Sequence, residues 1–261
     1  MTPQQSPAAR EAYERLAPSY DDFTLGYGYK YETWAKTLLG QAEAEGLRGK
    51  RLLDVACGTG FSSIPPLDLG WRVTACDISP AMVEQAREKI GDRAELVVAD
   101  MRELPELGEF DLVWAINAPL SYLLDVEELR ATLSGFRRNL APGGIALFDV
   151  FTVLTGRAFL GGEVVVERDG KRFTWKGQAS PEEIGPGSTG EGHLEMEGEP
   201  ELAHVHRMRH FPEAEVLAAL EAAGLQAVGV FGEQDGKLHP GIDEEADSSG
   251  VYLCRASEET G

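Results

Sequence analysis

Positive charge is scarce in this chain: 24 Lys and Arg stand against 44 Asp and Glu in 261 residues, a formal net charge of -20 at pH 7. Nucleic acid and anionic membranes are bound through clustered cations, so neither is expected as a partner. The carboxylate surplus reads as solubility. Cysteine is scarce as well. Cys57, Cys76 and Cys254 each sit in or beside an apolar run, and their spacings fit neither a zinc site nor a disulfide framework. Reduced core thiols, no metal and a cytoplasmic location are the expectation. No apolar run approaches the ~20 residues of a bilayer-spanning helix. Met1 to Gln5 is polar, without the charged-then-apolar start of a secretory signal. Internal repeats are absent. Hydrophobic residues make up 43% of the chain, enough for a sizeable core.

The apolar periodicity changes along the chain. Ala9, Ala12, Tyr13 and Leu16 recur at helical spacing up to Pro18, and Trp34, Leu38, Leu39 and Ala42 mark a second helix that ends near Gly46. Tyr20 to Lys30, rich in aromatics and glycine, reads as a loop. From Arg51 strands alternate with helices: Arg51–Ala56, Arg72–Cys76, Glu95–Ala99, Phe110–Ile116 and Ile145–Val150. Ser79 with Pro80 opens one intervening helix, and Asp125 with Glu128 opens another. This alternation implies a mostly parallel sheet covered on both faces. After Phe151 the register changes. Asp169-Gly170 signals a hairpin, Gly185–Gly192 reads as a flexible connection, and Gly156–Arg209 reads as a small antiparallel layer. A helix from Pro212 and strands at Leu225–Phe231 and Val251–Cys254 complete the main sheet. The acidic stretch Glu233–Asp247 reads as a surface loop.

The informative run is Leu52-Leu53-Asp54-Val55-Ala56-Cys57-Gly58-Thr59-Gly60, at a strand-to-helix junction. Gly58 and Gly60 let backbone approach a ligand closely, and open parallel sheets bind ligands at the carboxyl ends of their strands. A dinucleotide-binding dehydrogenase is the rival reading, but the third glycine of its fingerprint is replaced by Ser63. Asp54 precedes the loop inside an apolar strand, where a carboxylate is costly unless bonded or paired; an ammonium-bearing ligand helps meet that cost. Asp77 ends the next strand, placed for two ribose hydroxyls. Asp100-Met101 ends the third, where the acid suits an exocyclic amine of a base and the thioether suits its ring.

These residues, with Phe110-Asp111-Leu112-Val113 and Leu140-Ala141-Pro142-Gly143-Gly144, form an ordered set that resembles the class I S-adenosylmethionine-dependent methyltransferases. The resemblance implies an α/β, Rossmann-like seven-stranded sheet, mostly parallel, with helices on both faces and an antiparallel last strand. To it are added a small antiparallel insertion and an N-terminal helical lid. It implies S-adenosyl-L-methionine as cofactor, with Gly58 and Gly60 under the methionine, Asp77 on the ribose and Asp100 with Met101 at the adenine. Ala56, Ile78 and Met82 join the candidate cofactor set. A narrower resemblance, to amino-sugar N,N-dimethyltransferases of natural-product biosynthesis, rests on Tyr20-Asp21-x-Phe23-x-Leu25-Gly26-x-Gly28 and Ser121-Tyr122-Leu123. Tyr27 and Asn117-Ala118-Pro119 depart from that pattern.

The chain is thus expected to methylate a small molecule, N-directed before O- or C-directed. A cyclisation, another alkyl transfer and a non-catalytic S-adenosylmethionine-binding protein are the alternatives. Tyr20 and Tyr31 are placed to offer aromatic faces to a sulfonium. Asn117 and Ser121 follow the fourth strand, near where the methyl should point. Tyr122 is a candidate to orient or deprotonate the acceptor. His204 and His206 share one face of a strand, and His206, matched by histidine in the resembled family, is a candidate on the substrate side. Tyr122, His206 and Tyr20 are the candidate catalytic residues. The expected division is a lid (1–48), a cofactor-binding core (49–155), an insertion (156–210) and a C-terminal completion of the sheet (211–261), in a monomer or homodimer.

Overall fold

Helices come first: α1 (Ser6–Leu16), α2 (Tyr20–Gly26) and α3 (Tyr31–Ala44). The alternating region follows as β1 (Arg51–Val55), α4 (Ile64–Asp68), β2 (Arg72–Asp77), α5 (Pro80–Ile90), β3 (Ala94–Val98), β4 (Phe110–Ala115), α6 (Val126–Asn139) and β5 (Leu140–Phe151). Next come α7 (Val153–Gly161), β6 (Glu163–Arg168), β7 (Lys171–Gly177), β8 (Thr189–Met196) and β9 (His204–Arg209). The chain closes with α8 (Glu213–Ala222), β10 (Leu225–Gln234), β11 (Lys237–Pro240) and β12 (Ser249–Ala256). This computed structural model describes residues 6–257, so the polar start Met1–Gln5 lies outside the described residues.

The main sheet runs β11-β10-β12-β5-β4-β1-β2-β3. Strands β1 to β5 pair in parallel, and β12 is antiparallel to both β5 and β10. One sheet face is covered by Leu129, Leu133 and Phe136 of α6 with Leu220 of α8. The other is covered by Trp34, Leu38 and Leu39 of α3 with Trp71. Each such large apolar side chain, once fully buried, contributes ~1.5–3 kcal/mol relative to exposure, which is why the strands carry apolar residues on both faces. A second, antiparallel sheet runs β6-β7-β8-β9. Phe173, Trp175, Leu194 and Met208 on its inner face pack with Leu16 and Phe23 of the first helices.

Several local expectations are corrected. The sheet has eight strands, not seven, because the acidic stretch is not one surface loop. Asp235 and Gly236 both take positive φ (53° and 78°) and join β10 to β11 as a two-residue hairpin, the turn an Asp-Gly pair favours. Asp247 is fully buried, and its carboxylate accepts from Asp243 N (2.7 Å), Gln234 Nε2 (2.8 Å) and His239 Nε2 (2.8 Å). Tyr20–Lys30 is not a loop throughout, since Tyr20 to Gly26 is helical; it buries only Phe23 and Thr24, too few apolar positions to show a helical period. The antiparallel layer starts at Glu163, behind a helix capped by Thr152, whose Oγ1 accepts from Thr155 N at 3.3 Å. The glycines at the end of the supposed flexible connection lie within β8: a Cβ on Gly190 or Gly192 would meet Leu160 or Trp175. They are required by close packing.

The helix starts read from sequence hold. Ser79 Oγ accepts from Met82 N at 3.3 Å, and Asp125 accepts from Glu128 N at 2.8 Å. Glu128 does not complete a capping box; its carboxylate takes Leu124 N and the Arg102 guanidinium, both at 2.8 Å.

Candidate active site

A cavity of about 810 Å³ crosses the carboxyl ends of the parallel strands. Its floor begins where β1 ends. Ala56, Gly58 and Gly60 all have positive φ (59°, 55° and 87°), so the chain turns sharply and presents backbone to the cavity. A Cβ on Gly58 would stand 3.6 Å from the Tyr20 ring, narrowing the space between them. Gly60 serves a different need. A Cβ there would meet Ala86 Cβ at 3.2 Å, so its missing side chain lets α5 pack against the loop.

The acids read from sequence divide in the same way. Asp77 lines the cavity, and its oxygens accept from Gly58 N and Ser79 N, each at 2.9 Å. It fastens the glycine loop while facing the cavity. Burial pushes its carboxyl up to about 6, against the pull of those amides. Asp54 does not line the cavity. It is buried behind the loop, where Ser62 Oγ and Ser63 Oγ both donate to Oδ2 at 2.6 Å and Oδ1 has no partner. Ser63, the residue that counted against a dinucleotide site, thus helps hold this buried acid. Met82 and Ser121 are also fully buried away from the cavity; Ser121 Oγ accepts from Phe151 N at 3.2 Å. The structure places Asp54, Gly60, Met82 and Ser121 one layer behind the wall, where they support it.

Past the ends of β2 and β3, Ile78 and then Ala99, Asp100 and Met101 line a slot of the cavity. Asp100 is not alone there. Arg102 grips both its oxygens, Nε at 3.0 Å and Nη2 at 2.5 Å, and reaches Glu128 with Nη1. Burial raises the Asp100 carboxyl, but Arg102 outweighs it and holds the group below the usual carboxylate range.

Aromatic rings close the space above the floor. Tyr20 Oη and Tyr31 Oη lie 3.2 Å apart, and the Tyr31 ring stacks on Phe61 at 5.2 Å. Asn117, past β4, reaches Tyr31 Oη with Nδ2 at 3.5 Å. Helix α2 is tied down from two sides. Asp21 takes Thr59 Oγ1 (2.5 Å) and Lys89 Nζ (2.6 Å), and Asp22 takes Lys171 Nζ (2.6 Å) from the small sheet. Tyr122 Oη and His206 Nδ1 are 3.0 Å apart, although 84 residues separate them in sequence. His206 is buried, its Nε2 has no partner, and Trp175 lies 4.8 Å away ring to ring. Burial, then the neighbouring His204, holds its imidazole well below the usual range, so it is neutral at pH 7. Burial likewise raises the Tyr122 phenol.

The sequence reading missed Arg102, Phe61 and Asp149. Asp149 is almost fully buried at the end of β5, lines the cavity, and accepts from Ala118 N at 2.8 Å. It holds a strained turn, because Asn117 and Ala118 both carry positive φ (75° and 53°) without being glycine. Burial raises its carboxyl to about 6. An acid inside the apolar run Ile145–Val150 was a signal of the same kind as Asp54. The arrangement fits a cofactor of S-adenosylmethionine type: an open glycine turn, an acid ending β2 and a slot ending β3.

The comparisons with known proteins agree. The profile of a family described as "Methyltransferase domain" matches residues 52–144. The dTDP-3-amino-3,4,6-trideoxy-alpha-D-glucopyranose N,N-dimethyltransferase of Streptomyces venezuelae is 30% identical over 229 residues, covering 85% of this chain and 94% of the relative. YqeM of Bacillus subtilis is 34% identical over 141 residues; that match spans 53% of this chain and only 55% of YqeM. Among solved structures, DesVI of Streptomyces venezuelae superposes with a TM-score of 0.72 at 26% identity, covering 92% of this chain and 98% of that one. CalS10 of Micromonospora echinaspora, an amino pentose methyltransferase solved with S-adenosylmethionine bound, shares the fold with a TM-score of 0.68 at 22% identity, over 91% of this chain and 96% of that one.

Proposed function

Because this chain belongs to the S-adenosylmethionine-dependent methyltransferases, we propose that it methylates an amine nitrogen of a small molecule. The observation that carries this reading is the reach of the likeness to an amino-sugar N,N-dimethyltransferase. It extends over 85% of the chain, well beyond the matched domain at residues 52–144.

The bound cofactor supplies an electrophilic methyl on a sulfonium. The protein aligns the acceptor, excludes water and keeps the nitrogen unprotonated. In this reading Ala56 and Gly58 lie under the methionine, Asp77 takes the ribose hydroxyls, and Ile78, Asp100 and Met101 border the adenine. Arg102 positions Asp100, which keeps a lone pair for the exocyclic amine. Tyr20 and Tyr31 offer aromatic faces to the sulfonium, an attraction of ~0.5–2 kcal/mol. Asn117 stands beside them at the methyl end. His206, neutral and hydrogen-bonded to Tyr122 through Nδ1, offers Nε2 to accept a hydrogen bond from the acceptor's N–H and orient its lone pair. We further propose the division into lid (1–48), core (49–155), insertion (156–210) and completion (211–261), and a cytoplasmic monomer or homodimer that does not bind nucleic acid. Among the described residues, no helix is long and apolar enough to cross a membrane.

Labelled S-adenosylmethionine, incubated with the protein and a panel of primary and secondary amines, is expected to give labelled N-methyl product. Tight cofactor binding with no product from any amine, but product from hydroxyl acceptors, would replace this reading with O-methylation.

Cofactor affinity is also expected to depend on pH. The ionised form of Asp77 accepts the hydroxyls, and burial pushes that carboxyl up to about 6. Affinity for S-adenosylhomocysteine, measured by calorimetry, should therefore weaken as pH falls through about 6 and level off above it. A flat profile down to pH ~5 would show that Asp77 keeps its ordinary pKa.

A further inference from the structure

The strand order divides the cavity. The glycine loop, Asp77 and Asp100 end β1, β2 and β3, so the cofactor half lies over that side of the sheet. Across β4 the wall comes from the ends of β5 and β10, the start of β12 and the small sheet. This is the half left for the acceptor, and its chemistry is uneven.

Its body is aromatic. Tyr27 lies 5.5 Å from Phe159, ring to ring, Phe159 stacks on Phe151 at 5.6 Å, and Trp175 meets Phe159 at 5.5 Å and His206 at 4.8 Å. All of these residues line the cavity. Its charge is negative. Asp149, Glu233 and Asp235 stand on this side, against Lys30 and Arg207. Arg207 is already engaged, donating from Nε to Glu191 at 2.7 Å. Two polar atoms on the wall are buried and unpartnered. One is His206 Nε2, on a side chain only 2% exposed; the other is Tyr29 Oη. Both suit a group that brings N–H donors.

We propose that the acceptor is a phosphate-free amine on an apolar or aromatic body, bound between these rings and carboxylates, and not a nucleoside-diphosphate sugar. This rests on the methyltransferase reading above and narrows its substrate class. Carboxylates and ring faces attract an ammonium through Coulomb and cation–π terms. A diphosphate placed on the same wall meets like charge, and of Lys30 and Arg207 the latter is already paired with Glu191, so the site selects against it. The protonated amine is drawn in by the surrounding field. It releases its proton to solvent before its lone pair attacks, and a remaining N–H of the neutral amine donates to His206 Nε2.

The test uses protein saturated with S-adenosylhomocysteine, titrated with 2-phenylethylamine or with thymidine diphosphate and read by calorimetry. The amine is expected to bind at least ~10-fold more tightly than the diphosphate, and to weaken as salt rises from about 50 to about 500 mM. Replacing the carboxylates by their neutral isosteres, Glu233→Gln with Asp235→Asn, should weaken the amine at least ~3-fold and leave S-adenosylhomocysteine affinity unchanged. Asn is tolerated at the positive φ of position 235, and Gln retains an oxygen for Gly236 N. Equal or tighter binding of thymidine diphosphate overturns the proposal, as does no binding of the amine to cofactor-loaded protein. Labelled methyl transfer separates the two claims: faster turnover of a dTDP-amino sugar than of a phosphate-free amine leaves the N-methyltransferase reading standing and removes this one.

Discussion

Asp77→Ala is expected to lower affinity for S-adenosylhomocysteine by roughly two to three orders of magnitude. The carboxylate has three tasks at once. It accepts from Gly58 N and from Ser79 N, and it faces the cavity, where the proposed function puts the ribose hydroxyls. Each hydrogen bond to a charged group is worth ~1.5–3 kcal/mol. Losing the ribose pair weakens the ligand directly. Losing the Gly58 bond frees the turn that the proposed function puts beneath the methionine. Stability should suffer far less, because the carboxylate is itself costly to bury, as its raised pKa shows. Asp77→Asn should recover little. One amide regains an oxygen, but the other then meets an NH2. Calorimetry gives the affinity and thermal melting gives the stability. Affinity within about threefold of the parent protein would show that neither the ribose nor the loop depends on this acid.

Asp77 was also the most legible part of the site. Its place at the end of a strand follows from the alternation of apolar runs, and the glycine turn ahead of it from the spacing of Gly58 and Gly60. The elements that escaped the sequence are those whose partners are distant. Arg102 looks like any exposed arginine until Asp100 and Glu128 are seen on either side of it. Asp149 looks like an oddity in β5 until the turn at Asn117-Ala118 requires an acceptor. Gly60 fits the ligand-binding pattern, yet its missing side chain answers to Ala86. The acidic stretch has the composition of a solvated loop, while its Asp235-Gly236 pair turns it into a hairpin. A buried carboxylate such as Asp247 cannot be told from its solvated neighbours until Gln234 and His239 close on it.

Gly192→Ala separates the two halves of the cavity. Gly192 lies in β8, paired with Gly177 on β7 and lying under the indole of Trp175 two residues away, and no left-handed backbone is involved; the constraint is space. A Cβ there would fall 2.1 Å from Trp175 Cζ2 and 2.4 Å from Cε2, far inside contact distance. The indole cannot simply slide. Its Nε1 donates to Phe159 O at 2.6 Å, and its ring is flanked by Phe159, Phe23 and His206. Accommodating one methyl therefore means breaking that hydrogen bond, rotating the indole, and letting His206 follow it away from Tyr122. Overpacking of this kind costs ~1–3 kcal/mol, and here much of it falls on the acceptor wall. Acceptor kcat/KM is expected to drop by about one to two orders of magnitude. Affinity for S-adenosylhomocysteine should stay within about twofold, since Trp175 and Gly192 belong to the small sheet and the glycine loop to the main one. Calorimetry with S-adenosylhomocysteine, alongside initial rates with the best amine, measures both. If cofactor affinity falls as far as kcat/KM, the two halves of the cavity are coupled through α2, whose Asp21 and Asp22 grip the glycine loop and the small sheet respectively.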